Sequence, residues 1–444
     1  MKNKEVTRKR KSRSHFKELV QWLTPGLGVK RWVLLILFGT TFIGVGIALY
    51  ALDVYRNAPD TWWLPYLSMI SLRAFPRSIR IMIFGGIGLI ILISGIWGLS
   101  QAVLTPFVKP GSVVVDTLTG YRRKERGPKI VVIGGGHGLA TLLRGLKEYS
   151  YNLTAVVTVA DDGGSSGRLR ESLGILPPGD IRNCLAALSS DEEMMTQLFQ
   201  YRFPVGNGDL EGHSFGNLFI SAISEIVGSF EDAIAESGRV LAVHGKVMPA
   251  TLHDVKLVAD ILPSNSTQEV RVKGESLIPM TKGRIRHIWL EPNNPPAYPS
   301  VVKTILNADL VVIGPGSLYT SILPNLLVPD VLEAIRTTQA LKIYVCNVAT
   351  QPGETDGYTC KDHINVILEH CGDKLFDLIV ANNHYLSNLA ENMEWVFTDL
   401  EELQEYLVYQ ADLLDEEEPW HHSSEKISRV LIDLLQERTG PLIE

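Results

Sequence analysis

The feature that most constrains this 444-residue chain is an apolar strand that empties straight into glycine. Lys129 to Ile133 reads as a short strand and runs directly into Gly134-Gly135-Gly136-His137-Gly138. A helical apolar pattern follows at Leu139, Leu142, Leu143 and Leu146. A second apolar run, Leu153 to Val159, is bounded by turn residues and reads as another buried strand. Strand, glycine loop, helix and strand make one βαβ unit, whose helix N-terminus favours an anion. The expected fold is a Rossmann-like α/β domain, a parallel sheet with helices on both faces.

The second strand delivers Asp161-Asp162-Gly163-Gly164-Ser165-Ser166-Gly167-Arg168. Glycines leave backbone N–H groups bare, and serine hydroxyls add donors. Arg168 can grip a phosphate, while Asp161 and Asp162 can hold a ribose hydroxyl or a hard cation such as Mg²⁺. The plainer alternative is a surface turn rich in Asp, Gly and Ser, but a turn alone needs neither the paired acids nor the arginine. The glycine spacing departs from G-x-G-x-x-G, since Leu139 takes the last glycine position, and no G-x-x-x-x-G-K-[ST] occurs. Asp161 and Asp162 nevertheless fall slightly beyond the offset of about 20 residues at which a dinucleotide fold places its ribose-binding acid. An ordinary NAD-binding domain stays open on this pattern.

Three further polar clusters punctuate the domain. Pro177-Pro178-Gly179-Asp180-Ile181-Arg182-Asn183 reads as a turn in which Asp180 caps the helix from Ile181; Arg182 is then either solvated or turned to a ligand. Gly212-His213-Ser214-Phe215-Gly216-Asn217 precedes an apolar helix, Leu218 to Val227, so His213 and Asn217 either face a ligand or serve as cap and core partner. Gly314-Pro315-Gly316-Ser317-Leu318-Tyr319-Thr320-Ser321 follows a strand, Leu310 to Ile313, and Tyr319 offers a flat face to a base or sits in the core. Lys342 to Val348 is a strand ending in Ala349-Thr350-Gln351-Pro352-Gly353-Glu354-Thr355, and Leu378 to Ala381 another, ending in Asn382-Asn383-His384. Polar loops recur at strand ends, where α/β sheets gather ligands, and one shared cleft is the economical reading.

The N-terminal part is different in kind. Ten Lys or Arg fall in residues 1–31; the 21 residues from Trp32 to Leu52 carry no charge, and none separates Arg80 from Lys109. Each uncharged stretch can cross about 30 Å of hydrocarbon as a helix. The first is too long for a signal peptide and lacks its small-residue cleavage pattern. Six basic residues lie from Lys109 to Lys129 against four arginines in the connecting loop, which puts both ends in the cytoplasm. The expected organisation is a basic segment (1–31), a transmembrane hairpin (32–105, spans near 32–52 and 81–104), a linker (106–127) and the α/β domain (128–444). The formal charge of −7 argues against a general nucleic-acid binder. Cys184, Cys346, Cys360 and Cys371 have no metal or redox spacing and read as reduced thiols. From Thr398 the chain turns acidic and helical, with Asp415-Glu416-Glu417-Glu418 as a solvated link and His421-His422 as surface residues.

The ordered series GGGHGLATLLRGLK, VTVADDGGSSGRLR, PPGDIRNCLAALS, LFQYRF, GHSFGNL, IGPGSLYTSILPNLLV and CNVATQPGETDGY closely resembles the YvcK family, the gluconeogenesis factors, from about Lys129 to about Asn388. That family is related to the 2-phospho-L-lactate transferases. The resemblance implies a domain that binds a nucleotide-sugar, typically UDP-N-acetylglucosamine, and supports cell shape and envelope synthesis during gluconeogenic growth. It implies that Gly134 to Gly138 and Asp161 to Arg168 contact diphosphate and ribose, and that Asn217 and Gly314 to Tyr319 complete the cleft. Two departures stand out. His137 replaces a small hydroxyl residue with a group that titrates near neutrality, and the membrane hairpin is an addition that many relatives lack.

Two readings lead. One is a sensor whose UDP-sugar ligand alters contacts with envelope-synthesis proteins; the other is a transferase in which Asp161 or Asp162 holds Mg²⁺ against a diphosphate. A hydride-transferring oxidoreductase lacks the full fingerprint and an acid/base pair. Self-association is compatible with all three.

Overall fold

A computed structural model describes residues 122–439 except 205, 207, 374, 387, 388, 390 and 391, together with scattered positions between 37 and 96. The chain forms two compact units, 1–122 and 123–444. Most of the two uncharged stretches near 32–52 and 81–104 lies outside the described residues. Among those that are described, no single helix is long and apolar enough to cross a membrane.

The second unit follows the βαβ logic of its opening. In chain order it contains β1 (Ile130–Gly134), α1 (Gly136–Leu146), β2 (Leu153–Val157), α2 (Gly164–Leu173), α3 (Gly179–Leu188), α4 (Glu192–Gln200), α5 (Phe215–Val227) and α6 (Phe230–Val240). There follow β3 (Lys246–Pro249), β4 (Lys256–Pro263), β5 (Val270–Lys273), β6 (Gly283–Glu291), α7 (Pro299–Leu306) and β7 (Leu310–Ile313). The last elements are α8 (Leu323–Leu326), α9 (Pro329–Thr337), β8 (Leu341–Val345), α10 (Cys360–Cys371), β9 (Leu378–Asn382), β10 (Val408–Ala411) and α11 (Ser424–Thr439).

Seven strands form one sheet in the order β10-β9-β8-β7-β1-β2-β3, every pair parallel. Ile130 stands opposite both Leu153 and Leu310, so β1 lies between β2 and β7. All residues of β1, β2, β7 and β9 are buried. Parallel strands covered on both faces read as unbroken apolar runs, which is why the sequence marks them plainly. The chain leaves β1 toward β2 and β3, then returns on the opposite side of β1 as β7. The order therefore reverses between β1 and β7, and a crevice outside the carboxyl ends at such a reversal is where doubly wound folds bind ligands.

Two expectations need correction. Between β3 and β7 the chain inserts an antiparallel sheet, β5-β4-β6, with a bulge at Asp260/Ile261. The stretch after Thr398 is not mainly helical: it holds β10 and a turn before α11, and the Asp415 side chain accepts from the backbone N–H groups of Glu417 and Glu418. His422 is buried, with its Nε2 donating to the Cys346 carbonyl at 3.1 Å. That bond and the buried Leu413 and Leu414 fold the segment onto the carboxyl end of β8. All four cysteines are buried and free.

Candidate functional site

The glycine loop after β1 is built by backbone contact. A Cβ on Gly138 would lie 2.7 Å from the Pro315 carbonyl oxygen, and one on Gly135 would lie 2.5 Å from Asp180 Oδ2. At Gly138 this loop and the loop after β7 therefore meet main chain to main chain, while Gly135 lies against the Asp180 carboxylate. Asn325 Nδ2 holds them from behind, donating to the Gly134 and Ser321 carbonyls at 2.9 and 2.7 Å. Gly316 is fixed by a reciprocal pair with Asn347: its N–H donates to Asn347 Oδ1 at 3.3 Å, and Asn347 Nδ2 returns a 2.9 Å bond to its carbonyl. Ser317 Oγ accepts from Gln351 Nε2 at 2.8 Å. The carboxyl ends of β1, β7 and β8 are therefore one fabric.

The acidic loop closes the other side. Asp161 Oδ1 accepts from the Gly163 N–H at 2.8 Å, and Asp162 Oδ1 accepts from the Ser276 N–H at 2.9 Å. Ser165 and Ser166 open α2 and point inward. Ser165 Oγ lies 3.1 Å from His213 Nδ1, and Asn217 Nδ2 donates to Ser165 Oγ and Ser166 Oγ at 3.1 and 3.3 Å. The Asn217 Oδ1 is buried without a hydrogen-bond partner. Arg182 is buried and donates to Ser214 Oγ at 2.6 Å and to Asn183 Oδ1. Ser214 caps α5 by accepting from the Asn217 N–H at 3.3 Å, which leaves His213 outside the cap.

Asp180 is not a cap. It lies within the first turn of α3, and its carboxylate accepts from the Gly136 N–H instead. Arg182 is correspondingly not solvated. Tyr319 is 1% exposed with its hydroxyl 2.9 Å from that of Tyr358, so its ring belongs to the core. Arg168 is exposed and donates to the Glu211 carbonyl at 2.8 Å. Gly136, Gly164, Gly314 and Gly316 have positive φ. The predicted residues around the first two glycine loops and the Gly212 loop thus share one set of contacts.

Carboxylates dominate the electrostatics, and two of them lie outside the predicted set. Burial, then the neighbouring Asp161, pushes Asp180 up to about 6. Burial, then Asp161, Asp180, Glu354 and Asp162, pushes Glu275 up to about 8. Glu354 is raised to about 7 by burial, although Thr320 Oγ1 donates to its Oε1 at 3.0 Å; its Oε2 has no partner. Asp161 is raised by burial against the hydrogen bonds that it accepts. Glu275 sits in a short turn of the insert and leaves no signal in the sequence, whereas Glu354 stands in a strand-end loop. His137 is held below its ordinary value by burial, then by His421, Arg182 and Arg144. His421, paired with Glu418 at 2.8 Å, therefore stands at the rim of the glycine loop.

Among the described residues no group of three or more His, Cys, Asp or Glu converges to hold a metal ion. Asp161 and Asp162 each have one oxygen engaged by a backbone N–H. They fit a Mg²⁺ that takes one or two carboxylates and fills its remaining positions with water and phosphate oxygens. A cavity of about 520 Å³ is lined by Arg170, Ile175, Leu176, Ser224 and Phe230 and by none of the glycine-loop residues. Arg170 there is committed to structure, bonded to Asp254 and to the Asp161 and Val255 carbonyls, so the crevice rather than the cavity carries convergent chemistry.

The family profile of the 2-phospho-L-lactate transferase CofD matches residues 130–414. A Halalkalibacterium halodurans protein named gluconeogenesis factor is 44% identical over 313 residues, covering 68% of this chain and 95% of its own. The chain belongs to the gluconeogenesis-factor (YvcK) family. A Nostoc relative is 47% identical over 435 residues, 93% of this chain and 91% of its own, so it shares most of the first unit as well. A crystal structure from Bacillus halodurans, described as a member of the UPF0052 family, superposes with a TM-score of 0.64 at 43% identity, covering 69% of this chain and 99% of that one. Family members thus come in two lengths, and the shorter ones correspond to the α/β unit.

Proposed function

We propose that this gluconeogenesis-factor family chain binds a nucleotide-sugar of the UDP-N-acetylglucosamine type at the β1/β7 crevice and acts as a regulator of cell shape and envelope synthesis under gluconeogenic growth. The observation that carries the reading is the meeting of two glycine loops at the strand-order reversal, with the N-terminus of α1 opening between them. The Gly136 N–H is taken by Asp180, and the N–H groups that follow it at the helix N-terminus suit a diphosphate. Asp161 and Asp162 suit ribose hydroxyls or a Mg²⁺ shared with the diphosphate, and Asn217, Ser317 and Arg168 supply further donors. The uncharged stretches near 32–52 and 81–104, flanked by basic residues, support a hairpin that holds this domain at the cytoplasmic face of the membrane. The Nostoc relative supports the first unit as a feature of longer family members.

A second reading, a transferase of phosphorus-containing groups, is favoured by the crowded carboxylates and by the CofD profile. Such transfer depends chiefly on positioning and charge neutralisation, so binding and active sites share one appearance. Calorimetric titration with UDP-N-acetylglucosamine, with and without Mg²⁺, followed by chromatography of the recovered ligand, separates them. Saturable binding with intact ligand supports the regulator. Turnover assigns the site to catalysis, and absence of binding removes the nucleotide-sugar.

A further inference from the structure

The loop that follows β8 holds two buried acceptor atoms that no donor among the described residues reaches. Glu354 is 8% exposed; Thr320 Oγ1 donates to its Oε1 at 3.0 Å, and its Oε2 has no partner. Gln351 donates through Nε2 to Ser317 Oγ at 2.8 Å, and its buried Oε1 is unpartnered as well. Ser317 and Thr320 follow β7, so both side chains stand where the segments after β7 and β8 meet. A buried carboxylate oxygen without a donor carries a desolvation penalty that folded proteins seldom leave unanswered.

The insert spans this meeting point. One end of its turn is tied to the acidic loop by the bond from the Ser276 N–H to Asp162. The other end lies against the β8 loop, main chain to main chain: Gly353 has φ +83, and a Cβ on it would collide with the Pro279 carbonyl. Glu275, in the same turn, is raised by burial first and then by Asp161, Asp180 and Glu354. It thus stands within electrostatic reach of carboxylates on both sides of β1, Asp161 after β2 and Glu354 after β8.

Resting on the nucleotide-sugar reading, we propose that Glu354 and Gln351 form the glycosyl subsite, holding sugar hydroxyl or amide N–H groups through Glu354 Oε2 and Gln351 Oε1. Sheet order gives the direction. In a doubly wound fold the diphosphate rests on the loop after the first strand, and an acid after the second holds the ribose. Asp161 and Asp162 then keep the nucleoside on the β2 side of β1. The group beyond the diphosphate extends across the reversal toward β7 and β8, where Glu354 and Gln351 stand. The atoms give the chemistry. Both unpaired atoms are acceptors, to which an ionised phosphate offers no donor. Burial pushes Glu354 up to about 7, so near neutrality its carboxyl exists both charged and protonated. A hydroxyl both donates and accepts, and it satisfies Oε2 in either state.

The test is calorimetry on the full chain with UDP, UDP-glucose, UDP-N-acetylglucosamine and UDP-glucosamine. Wild type should bind the first two sugars at least about tenfold more tightly than UDP, the scale of one or two buried hydrogen bonds. Glu354→Met should cut that sugar-to-UDP ratio about tenfold, whereas Glu354→Gln keeps a hydrogen-bonding group and should retain most of it. Gln351→Met, at a half-buried position, should lower the ratio too, and it keeps the test open if E354M fails to fold. Equal wild-type affinity for UDP and its sugars overturns the subsite while leaving the nucleotide site standing. A ratio indifferent to E354M and Q351M overturns it by placing the sugar elsewhere. UDP-glucosamine bound about tenfold more tightly than UDP-glucose, with the gain lost in E354Q, overturns it in favour of an ammonium site. Absence of binding by UDP and every sugar overturns the nucleotide-sugar reading, and this subsite with it.

Discussion

The Asp162 carboxylate accepts a 2.9 Å hydrogen bond from the Ser276 N–H, 114 residues away, and so ties the acidic loop to the antiparallel insert. Glu275, the neighbouring residue, is raised to about 8 with Asp162 among the causes. The insert is therefore a wall of the site. Asp162→Ala should leave the Ser276 amide without its charged acceptor, at a cost of about 1.5–3 kcal/mol. Hydrogen exchange at residues 274–277 should accelerate with the main sheet unaffected. Unchanged protection there removes the insert from the site.

The glycine loop predicts a graded series. A Cβ at 138 would lie 2.7 Å from the Pro315 carbonyl oxygen, a backbone atom that cannot swing aside. Gly138→Ala should therefore destabilise the fold by about 1–3 kcal/mol and weaken nucleotide-sugar binding, because the two loops are forced apart. Gly136 has φ +63 but open space, its nearest neighbour being Ser321 Oγ at 3.8 Å. Gly136→Ala should cost about 1–2 kcal/mol of backbone strain. Thermal unfolding beside calorimetry checks the order, and equal effects at 136 and 138 would contradict the packing argument.

Legibility tracked burial. The strands β1 and β7 are wholly buried, so Ile130 to Ile133 and Leu310 to Ile313 stand out as apolar runs, each closed by glycine. The insert is harder to read because its outer strands show polar faces: β5 alternates Val270, Arg271, Val272 and Lys273 with no buried position, although β4 between them buries Leu257, Val258, Ala259 and Ile261. Its place before an apolar helix marks Asp180 as a cap, yet the donor it meets is the Gly136 N–H, supplied by tertiary structure. Glu275 and His421 joined the site in the same way. The sequence places His422 on the surface, whereas it is buried against an acceptor, the Cys346 carbonyl, that lies 76 residues distant.

The crowded carboxylates give stability a pH signature. Asp180, Glu354 and Glu275 are raised to about 6, 7 and 8, burial being the first cause for each. The folded protein therefore holds these protons more tightly than the unfolded chain, so stability is fullest below about pH 4 for these groups and is lost as pH rises through the folded values. The lowered histidines His137, His213 and His422 act oppositely, but below about pH 6.5. Between about pH 8 and 9, beyond the folded values of Asp180 and Glu354, Glu275 is the one of the three carboxylates still titrating. The unfolding temperature should fall across that interval, and Glu275→Gln should flatten the slope. A slope that survives E275Q assigns it to another group.

Arg168 tests where the anion sits. Its guanidinium is exposed at the mouth of α2, donating to the Glu211 carbonyl at 2.8 Å. It shares the α2 N-terminal region with Ser165 and Ser166, which face the crevice through Asn217. A charge-assisted bond to a diphosphate is worth about 1.5–3 kcal/mol, so Arg168→Ala should weaken nucleotide-sugar affinity about ten- to a hundredfold. Because the residue is exposed, stability should change little, and the loss should shrink as salt rises. Arg168→Lys keeps the charge and loses the fork, so it should fall between wild type and alanine. Affinity that is unchanged in R168A would place the diphosphate on the β1 glycine loop alone, with Arg168 serving only to anchor the Glu211 turn.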